Sequence, residues 1–359
     1  MRPQLRPFCY WEILMKWFKR IATIYLVLML PVFSYATTLS DLQPHSTTGK
    51  PWNEQWFYYF NDPLVGYYKI SFQTFLYKDD ETSKERGYLH FVYTPLEGEI
   101  KTYDYFYDDV SLGAVEDSEY GYYFKIPGVA DINENSIKIT TDDFSFSSIL
   151  NGEHTHYWKL NPGASPYSLI GELPFVANRW FTFSLASSAE YSFSSDYSHH
   201  EGQAVSYIDK GWSTSQAANY AFVMATEESS QLMLAGGSDE GLPIELWSAR
   251  FISENNNITF LPSVNGLSVK RTLEPCQGKM EIVFKGIGKS LIVRASADLD
   301  DFSDSHVPST HVFEAEYPSS KTMNANIEIE VRRWGQVVER KSFQQGALEF
   351  GGGMHCNAQ

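Results

Sequence analysis

The sequence has few cysteines and no apolar run long enough to cross a bilayer, and both scarcities narrow the class of protein. Three cysteines among 359 residues exclude the disulfide-rich scaffolds of small secreted domains. The most apolar stretch, 21–33, is shorter than the roughly 20 residues that a membrane-spanning helix needs. Beyond residue 36 the chain also lacks a sustained helical period of apolar residues, which argues against a helix-rich fold.

Positive charge is scarce as well. The chain has 28 Lys and Arg against 44 Asp and Glu, a net charge of −16. Residues 1–36 carry five of the basic residues and one of the acidic ones, so without them the net charge is −20. A charge of this sign argues against nucleic acid and against anionic membrane surfaces as partners.

The first 36 residues have the pattern of a cleavable signal peptide. Basic residues precede the apolar stretch 21–33, and Ser34 and Ala36 stand at the −3 and −1 positions of a cleavage site. We therefore predict a mature chain that begins near Thr37, is secreted or periplasmic, and has no stable membrane span after cleavage. Two cysteines, at 276 and 356, then remain, and the sequence leaves open whether they pair.

Motifs for phosphate, calcium, metal or nucleophile sites are missing or incomplete. The run Gly286–Ser290 resembles the end of a phosphate loop, but Val283 stands where its first glycine should be. The chain has no G-x-S-x-G elbow, and the acidic loop 298–304 lacks the glycine and glutamate of a calcium loop. His154 and His156 could face one metal, yet nothing completes a ligand spacing. We predict neither a metal site nor a cofactor.

Aromatic residues and alternating patterns are abundant. Aromatics make up 16% of the chain and are mostly Tyr and Phe, which favour strands. Segments such as Tyr68–Leu76 and Ile327–Val331 alternate apolar and polar residues, the period of a half-buried strand. Many short strands indicate an all-β sandwich or barrel protein. We place a domain boundary near residue 214, between an N-terminal domain at 37–213 and a C-terminal domain at 214–359.

The stretch Glu201–Ser213 concentrates chemistry, since Tyr207, Asp209, Lys210 and Trp212 fall within six residues. In a regular strand Tyr207 and Asp209 share one face, and Lys210 and Trp212 share the other. The plain alternative is a solvated Asp/Lys pair at the end of an edge strand. A bulge seated at a flanking glycine would break the alternation and make Lys210 the residue of interest.

Three segments resemble known families. The run 202–213 resembles the tocopherol cyclase family, where a Tyr, an acid, a Lys and a Trp follow in this order, and the ending 347–353 is similar to that family's ending. The segment 53–58 resembles the E-x-W-Y-Y opening of hydroxyneurosporene synthase and AttH-like proteins. The resemblance covers most of residues 50–353 and implies two antiparallel lipocalin-like β-barrel or sandwich domains. Asp209 replaces the family's usual Glu, and Gly211 replaces its Asn.

The resemblance also implies a chemistry, because these enzymes add an O–H group across an isolated alkene. That reaction needs a proton donor with a raised pKa in a dry pocket, and aromatic faces to stabilise the resulting cation. Asp209 is the expected donor, and Lys210 and Tyr207 are the other catalytic candidates. The expected ligand-binding residues are Trp212, Trp56, Tyr58 and Glu54.

Three functions remain open from the sequence, and each expects a different site. The first is an enzyme that cyclises or hydrates a prenyl or polyene lipid, which needs a buried acid at a cavity wall. The second is a non-catalytic lipocalin-like carrier of a hydrophobic small molecule, which needs only the cavity. The third is a glycan-binding sandwich, which expects exposed Trp and Tyr in an open groove.

Overall fold

Antiparallel β-strands make up most of the regular secondary structure in the computed structural model, which describes residues 37–81, 84–171, 176, 178–239 and 244–358. This confirms the predicted all-β, lipocalin-like class. The predicted signal peptide, 1–36, lies outside the described residues. Within the described part of the chain, no helix is long and apolar enough to span a bilayer.

An eleven-stranded sheet, the N-terminal sheet, contains every strand up to Ser213. Its strand order is β4-β3-β2-β1-β11-β10-β9-β8-β7-β6-β5. The strands are β1 (Trp52–Asp62), β2 (Gly66–Leu76), β3 (Arg86–Pro95), β4 (Lys101–Tyr107), β5 (Ser111–Ala114), β6 (Tyr122–Ile126), β7 (Ala130–Asn133), β8 (Ser136–Thr140), β9 (Phe144–Asn151), β10 (Asn178–Ser195) and β11 (Ser198–Ser213).

The N-terminal sheet curls so that its two halves pack against each other. The rings of Phe91 in β3 and Phe144 in β9 stack with centroids 4.1 Å apart, and Trp56 in β1 stacks on Tyr122 in β6 at 5.6 Å. Both pairs belong to one buried aromatic core. The alternating aromatic residues of these strands therefore point into the concave side of the sheet.

Two further sheets are built from Asn219 onwards. The interface sheet has the order β15-β14-β13-β12-β23-β20-β19, and the distal sheet has the order β16-β17-β18-β21-β22. The strands are β12 (Asn219–Thr226), β13 (Gln231–Ser238), β14 (Leu246–Ile252), β15 (Asn257–Val264), β16 (Val269–Glu274), β17 (Lys279–Gly286), β18 (Lys289–Ser296), β19 (Ser303–Ser305), β20 (Ser319–Thr322), β21 (Asn326–Arg333), β22 (Gln336–Phe343) and β23 (Ala347–Gly352).

The described helices are short connections. They are Leu39–Leu42, Ser168–Gly171, Pro275–Gln277, Leu299–Asp301, Ser309–Val312 and Cys356–Ala358. Two of them carry the cysteines that the sequence left open, and a disulfide joins Cys276 to Cys356. Sheet membership changes between Ser213 and Asn219, beside the domain boundary predicted near residue 214, which itself stays a prediction.

The convex side of the N-terminal sheet packs on the interface sheet. Tyr59 and Tyr207 from β1 and β11 form a buried cluster with Phe222, Met224 and Met233 from β12 and β13. This contact buries the second face of strands that would otherwise be half exposed, and β2 is buried along its whole length. The central stretch of the sequence lies in this contact.

Candidate functional site

Strand β11 runs without a register shift against β1, from Val205 opposite Asn61 to Ser213 opposite Asn53. The irregularities lie instead in the neighbouring strand β10, between Thr182 and Ser187. Side chains in β11 therefore alternate regularly through the central stretch. Asp209 points towards the interface sheet, and Lys210 points into the concave core.

Asp209 lines a cavity of about 190 Å³ between the N-terminal sheet and the interface sheet. Aromatic side chains dominate its wall near the carboxyl group, and a few polar groups converge on it, which is the usual composition of a small-molecule site. The lining residues include Gln55, Phe57, Tyr59, Trp180, Asp209, Tyr220, Phe222, Lys321 and Glu349.

The carboxyl group of Asp209 is buried and incompletely partnered. Its Oδ1 atom has no hydrogen-bond partner among the residues that the structure describes. Burial raises the pKa of Asp209 to about 7, although the hydroxyl group of Tyr207 and the indole of Trp180 favour the charged form. The nearby Glu349 carboxylate adds to the rise. A group of this kind holds a proton near neutral pH and can donate it.

A second polar group, Lys69 of β2, is buried at a small neighbouring cavity, which shares Tyr59, Lys321 and Glu349 with the cavity at Asp209. Its Nζ atom has no hydrogen-bond partner within the described residues and lies 5.3 Å and 5.8 Å from the ring centroids of Phe57 and Tyr59. Burial lowers the pKa of Lys69 well below its ordinary range, and the positive charge of Lys321 acts in the same direction. Lys69 therefore favours the neutral amine.

The opposite wall of the cavity carries an acid held by a phenol. The Tyr220 hydroxyl group donates to Glu349 Oε1 at 2.9 Å, and Lys321 stands opposite Glu349 in the paired strand β20. Nothing in the sequence groups Lys69, Tyr220, Lys321 and Glu349 with Asp209, because each comes from a different strand. The sequence signals were the position of Lys69 on the polar face of an alternating strand and that of Glu349 in the family-like ending 347–353.

Lys210 is also fully buried, but its surroundings satisfy it. Its Nζ atom lies 2.7 Å from Glu54 Oε1, donates to the carbonyl of Asp41 at 2.6 Å and also donates to the carbonyl of Gln43. It lies 4.5 Å from the ring centroid of Trp56. Burial lowers the pKa of Lys210 to about 8, and the charge of Glu54 opposes that fall.

His45 completes this charged cluster. Its Nδ1 atom lies 2.6 Å from Glu54 Oε1 and its Nε2 atom 2.8 Å from Asp41 Oδ1. Burial by itself would lower the pKa of His45, but the hydrogen bonds to Asp41 and Glu54 outweigh it and raise that pKa. Trp212 stacks on the His45 ring at 4.1 Å. Lys210, His45 and the two carboxylates thus partner each other and anchor the segment 38–45 over the concave core.

The residues that the sequence grouped into one site divide between the two faces of the sheet. Tyr207 lies on the Asp209 side, where its hydroxyl group is 3.2 Å from Thr182 Oγ1. Lys210 lies on the other face, as strand alternation predicts. Glu54, Trp56 and Tyr58 lie there with it and away from Asp209, because β1 alternates in phase with β11. Trp212 borders both regions. The functional roles assigned to all seven residues stay predictions.

The histidines singled out as metal candidates have other partners. His154 Nδ1 lies 2.6 Å from Ser187 Oγ, and His156 Nδ1 donates to the carbonyl of Phe183 at 2.6 Å. Among the described residues, no three His, Cys, Asp or Glu side chains come together as a set of metal ligands.

Three solved structures are similar to this chain in fold. CghA with Sch210972 has a TM-score of 0.55 and 9% identity, over 86% of this chain and 93% of that one. A protein described as AttH from Nitrosomonas europaea has a TM-score of 0.49 and 12% identity, over 87% and 95%. Kievitone hydratase from Nectria haematococca has a TM-score of 0.49 and 11% identity, over 87% and 91%.

No protein-family model matches the sequence, and no curated protein matches it either. At 9% identity, the match to CghA shows a shared fold and nothing about activity. The chain therefore has a lipocalin-like β fold, and its chemistry has to be inferred from its own residues.

Proposed function

We propose that this protein binds an apolar small molecule, a prenyl or polyene lipid, in the cavity at Asp209 and protonates one of its alkenes. A single observation carries this function: a buried carboxyl group, with Oδ1 unpartnered among the described residues, faces an aromatic-lined cavity. CghA, whose fold is similar, was solved together with Sch210972, which supports a ligand-binding role for this fold.

The reaction balances on the cavity's own groups. Asp209 transfers its proton to the less substituted alkene carbon and becomes a carboxylate, while the other carbon becomes a cation. The rings of Phe57, Tyr59 and Trp180 line the space in which that cation forms and stabilise it. A hydroxyl group of the ligand, or a water molecule, then bonds to the cation and returns its proton to Asp209. The product is a cyclic ether or an alcohol.

The experiment is turnover of a prenylated hydroquinone and of an acyclic polyene in deuterated water. Wild-type protein should place one deuterium on the carbon adjacent to the carbon that forms the new C–O bond. Asp209→Asn keeps the side-chain volume and removes the proton, so it should lower turnover by at least about a hundredfold. Binding, followed by quenching of tryptophan fluorescence, should change less than about threefold. Asp196→Asn, an exposed residue in the same hairpin, is the matched control.

The same measurements separate the enzyme from a carrier. A protein that binds the probes tightly but turns over neither, with Asp209→Asn indistinguishable from wild type, would be a carrier, and the catalytic role of Asp209 would be wrong. In the enzyme, turnover should fall about tenfold per pH unit above the Asp209 pKa of about 7, because only the protonated acid reacts.

The glycan-binding alternative gains no support from the aromatic residues. Of the tryptophans and tyrosines that the structure describes, only Trp334 and Tyr197 are exposed, and they lie in turns of different sheets. A glycan groove would need several exposed aromatic faces side by side.

A further inference from the structure

Three connections of the distal sheet meet at one of its ends. They are the entry to β16, the β17–β18 turn and the β21–β22 turn. The register places them together, because Val269 pairs with Phe284 and Lys289 pairs with Arg333. We call residues 266–270, 285–289 and 332–336 the distal tip.

Each connection exposes one large apolar side chain. Leu267 is 82% exposed, Ile287 is 97% exposed and Trp334 is 82% exposed. Scattered exposed apolar residues are ordinary on a protein surface, but three at adjacent turns of one sheet end form a patch. Such a patch indicates a contact surface.

The distal tip is also strongly basic. It holds Lys270, Lys285, Lys289, Arg332 and Arg333 and no Asp or Glu, in a chain whose net charge is −16. Arg332 pairs with Glu330, but the other four cations form no salt bridge within the described residues. The local charge is therefore opposite in sign to that of the protein as a whole.

The β17–β18 turn and the β21–β22 turn contact each other. The Trp334 backbone N–H donates to the Gly288 carbonyl at 2.9 Å, and the Trp334 ring lies over Gly288, where an added Cβ would come within 2.8 Å of it. Gly288 and Gly335 both have positive φ, which suits tight turns. Ile287 and Trp334 are therefore held out from the sheet by a fixed backbone.

We propose that the distal tip docks the protein on an anionic lipid bilayer. Apolar side chains that project between cations are the pattern of a protein that inserts shallowly among lipid headgroups, and Trp favours that depth. The cations would meet the negative surface of the bilayer. This surface is independent of the Asp209 cavity, which lies between the other two sheets. The negative net charge of the chain argues against binding to an anionic membrane. A bilayer, however, contacts only one local patch of the protein, and the distal tip is basic.

Acidic groups near the distal tip cancel only part of its charge. Glu330 pairs with Arg332 and Arg340, whereas Glu339 accepts hydrogen bonds from the neutral side chains of Ser253 and Asn256 and keeps its charge. The other four cations of the tip outnumber Glu339, so the local charge stays positive. A protein partner with an acidic surface is the other occupant with suitable chemistry, and the test below separates the two.

The experiment is co-sedimentation with vesicles of phosphatidylcholine alone or with an equal part of phosphatidylglycerol. The full chain is used throughout, with its N-terminus read by mass spectrometry, so that residues 1–36 contribute equally to every variant. Wild type should bind the anionic vesicles at least about tenfold more tightly than the neutral ones, and less tightly as salt rises from about 0.05 M to about 0.5 M.

Two double variants test the two features. Lys270→Gln with Lys285→Gln should weaken binding to anionic vesicles by about 25-fold, at roughly fivefold per cation. Ile287→Ser with Trp334→Ser should weaken binding by at least about tenfold. The matched controls are Lys125→Gln with Lys138→Gln, and Leu64→Ser with Leu160→Ser, which alter exposed residues elsewhere and should change binding less than about twofold.

The proposal is overturned if wild type binds neither kind of vesicle, or if the tip variants bind as wild type does. It is also overturned if wild type is oligomeric in the absence of lipid and the Ile287/Trp334 variant is monomeric, because the tip would then be a protein contact. Thermal melts identify any variant that is unfolded; the two double variants change separate side chains, so each checks the other.

Discussion

Asp209 and Lys210 are neighbours in β11 and both are buried. The ammonium group of Lys210 is fully partnered, whereas the carboxyl group of Asp209 is not. Lys210 meets a carboxylate, two carbonyls and an indole ring, which together satisfy its ammonium group. Asp209 borders a cavity and has an oxygen without a partner among the described residues. Burial of a charge does not by itself indicate function. Incomplete partnering next to open space is the better indicator, since structure alone would favour a satisfied group.

Lys210→Met should have the largest effect on stability. It removes the cation from Glu54, which is 1% exposed, and leaves that carboxylate buried. We expect the free energy of unfolding to fall by about 4 kcal/mol, measured by urea denaturation. Lys138→Met, at an exposed position, should change it by less than about 0.5 kcal/mol. A loss below about 1 kcal/mol for Lys210→Met would show that the cluster is not structural.

Asp209→Asn should change how stability depends on pH. The folded-state pKa of Asp209 is raised to about 7, so between about pH 4 and 7 the unfolded chain loses a proton that the folded chain keeps. Wild type therefore loses stability as pH rises through this window, and the asparagine variant is spared that loss.

Urea denaturation of both proteins at about pH 5 and about pH 8 measures the difference. Over that span the wild type should lose about 3 kcal/mol more than Asp209→Asn, at roughly 1.4 kcal/mol per pKa unit. Asp196→Asn should follow the wild type. Parallel pH profiles for wild type and Asp209→Asn would mean that the carboxyl group is not desolvated in the folded protein.

Tyr207→Phe should have the smallest effect. The Tyr207 hydroxyl group favours the charged form of Asp209, so its loss should raise the Asp209 pKa further, by less than about one unit. Stability should fall by about 1 kcal/mol, because Thr182 loses one hydrogen-bond partner. Carbon-13 NMR titration of the Asp209 carboxyl group measures the shift. An unchanged or lowered Asp209 pKa would show that the Tyr207 hydroxyl group does not stabilise the Asp209 carboxylate.

The sequence by itself determined the all-β class and the alternation of β11. Strand periodicity is a local property, so it sorted Asp209 and Lys210 onto opposite faces without knowledge of the fold. It could not reveal that both faces are buried, because the second face is covered by strands more than a hundred residues away in some cases, such as β23.

Only the tertiary structure decided which residues share a site. The sequence grouped Glu54, Trp56 and Tyr58 with Asp209, but β1 lies in register with β11, which places them beside Lys210. Lys69 and Glu349 reach the Asp209 side from β2 and β23, and the distal tip gathers three turns far apart in the chain. Electrostatic partnering depends on distances across several strands, and no local pattern encodes those distances.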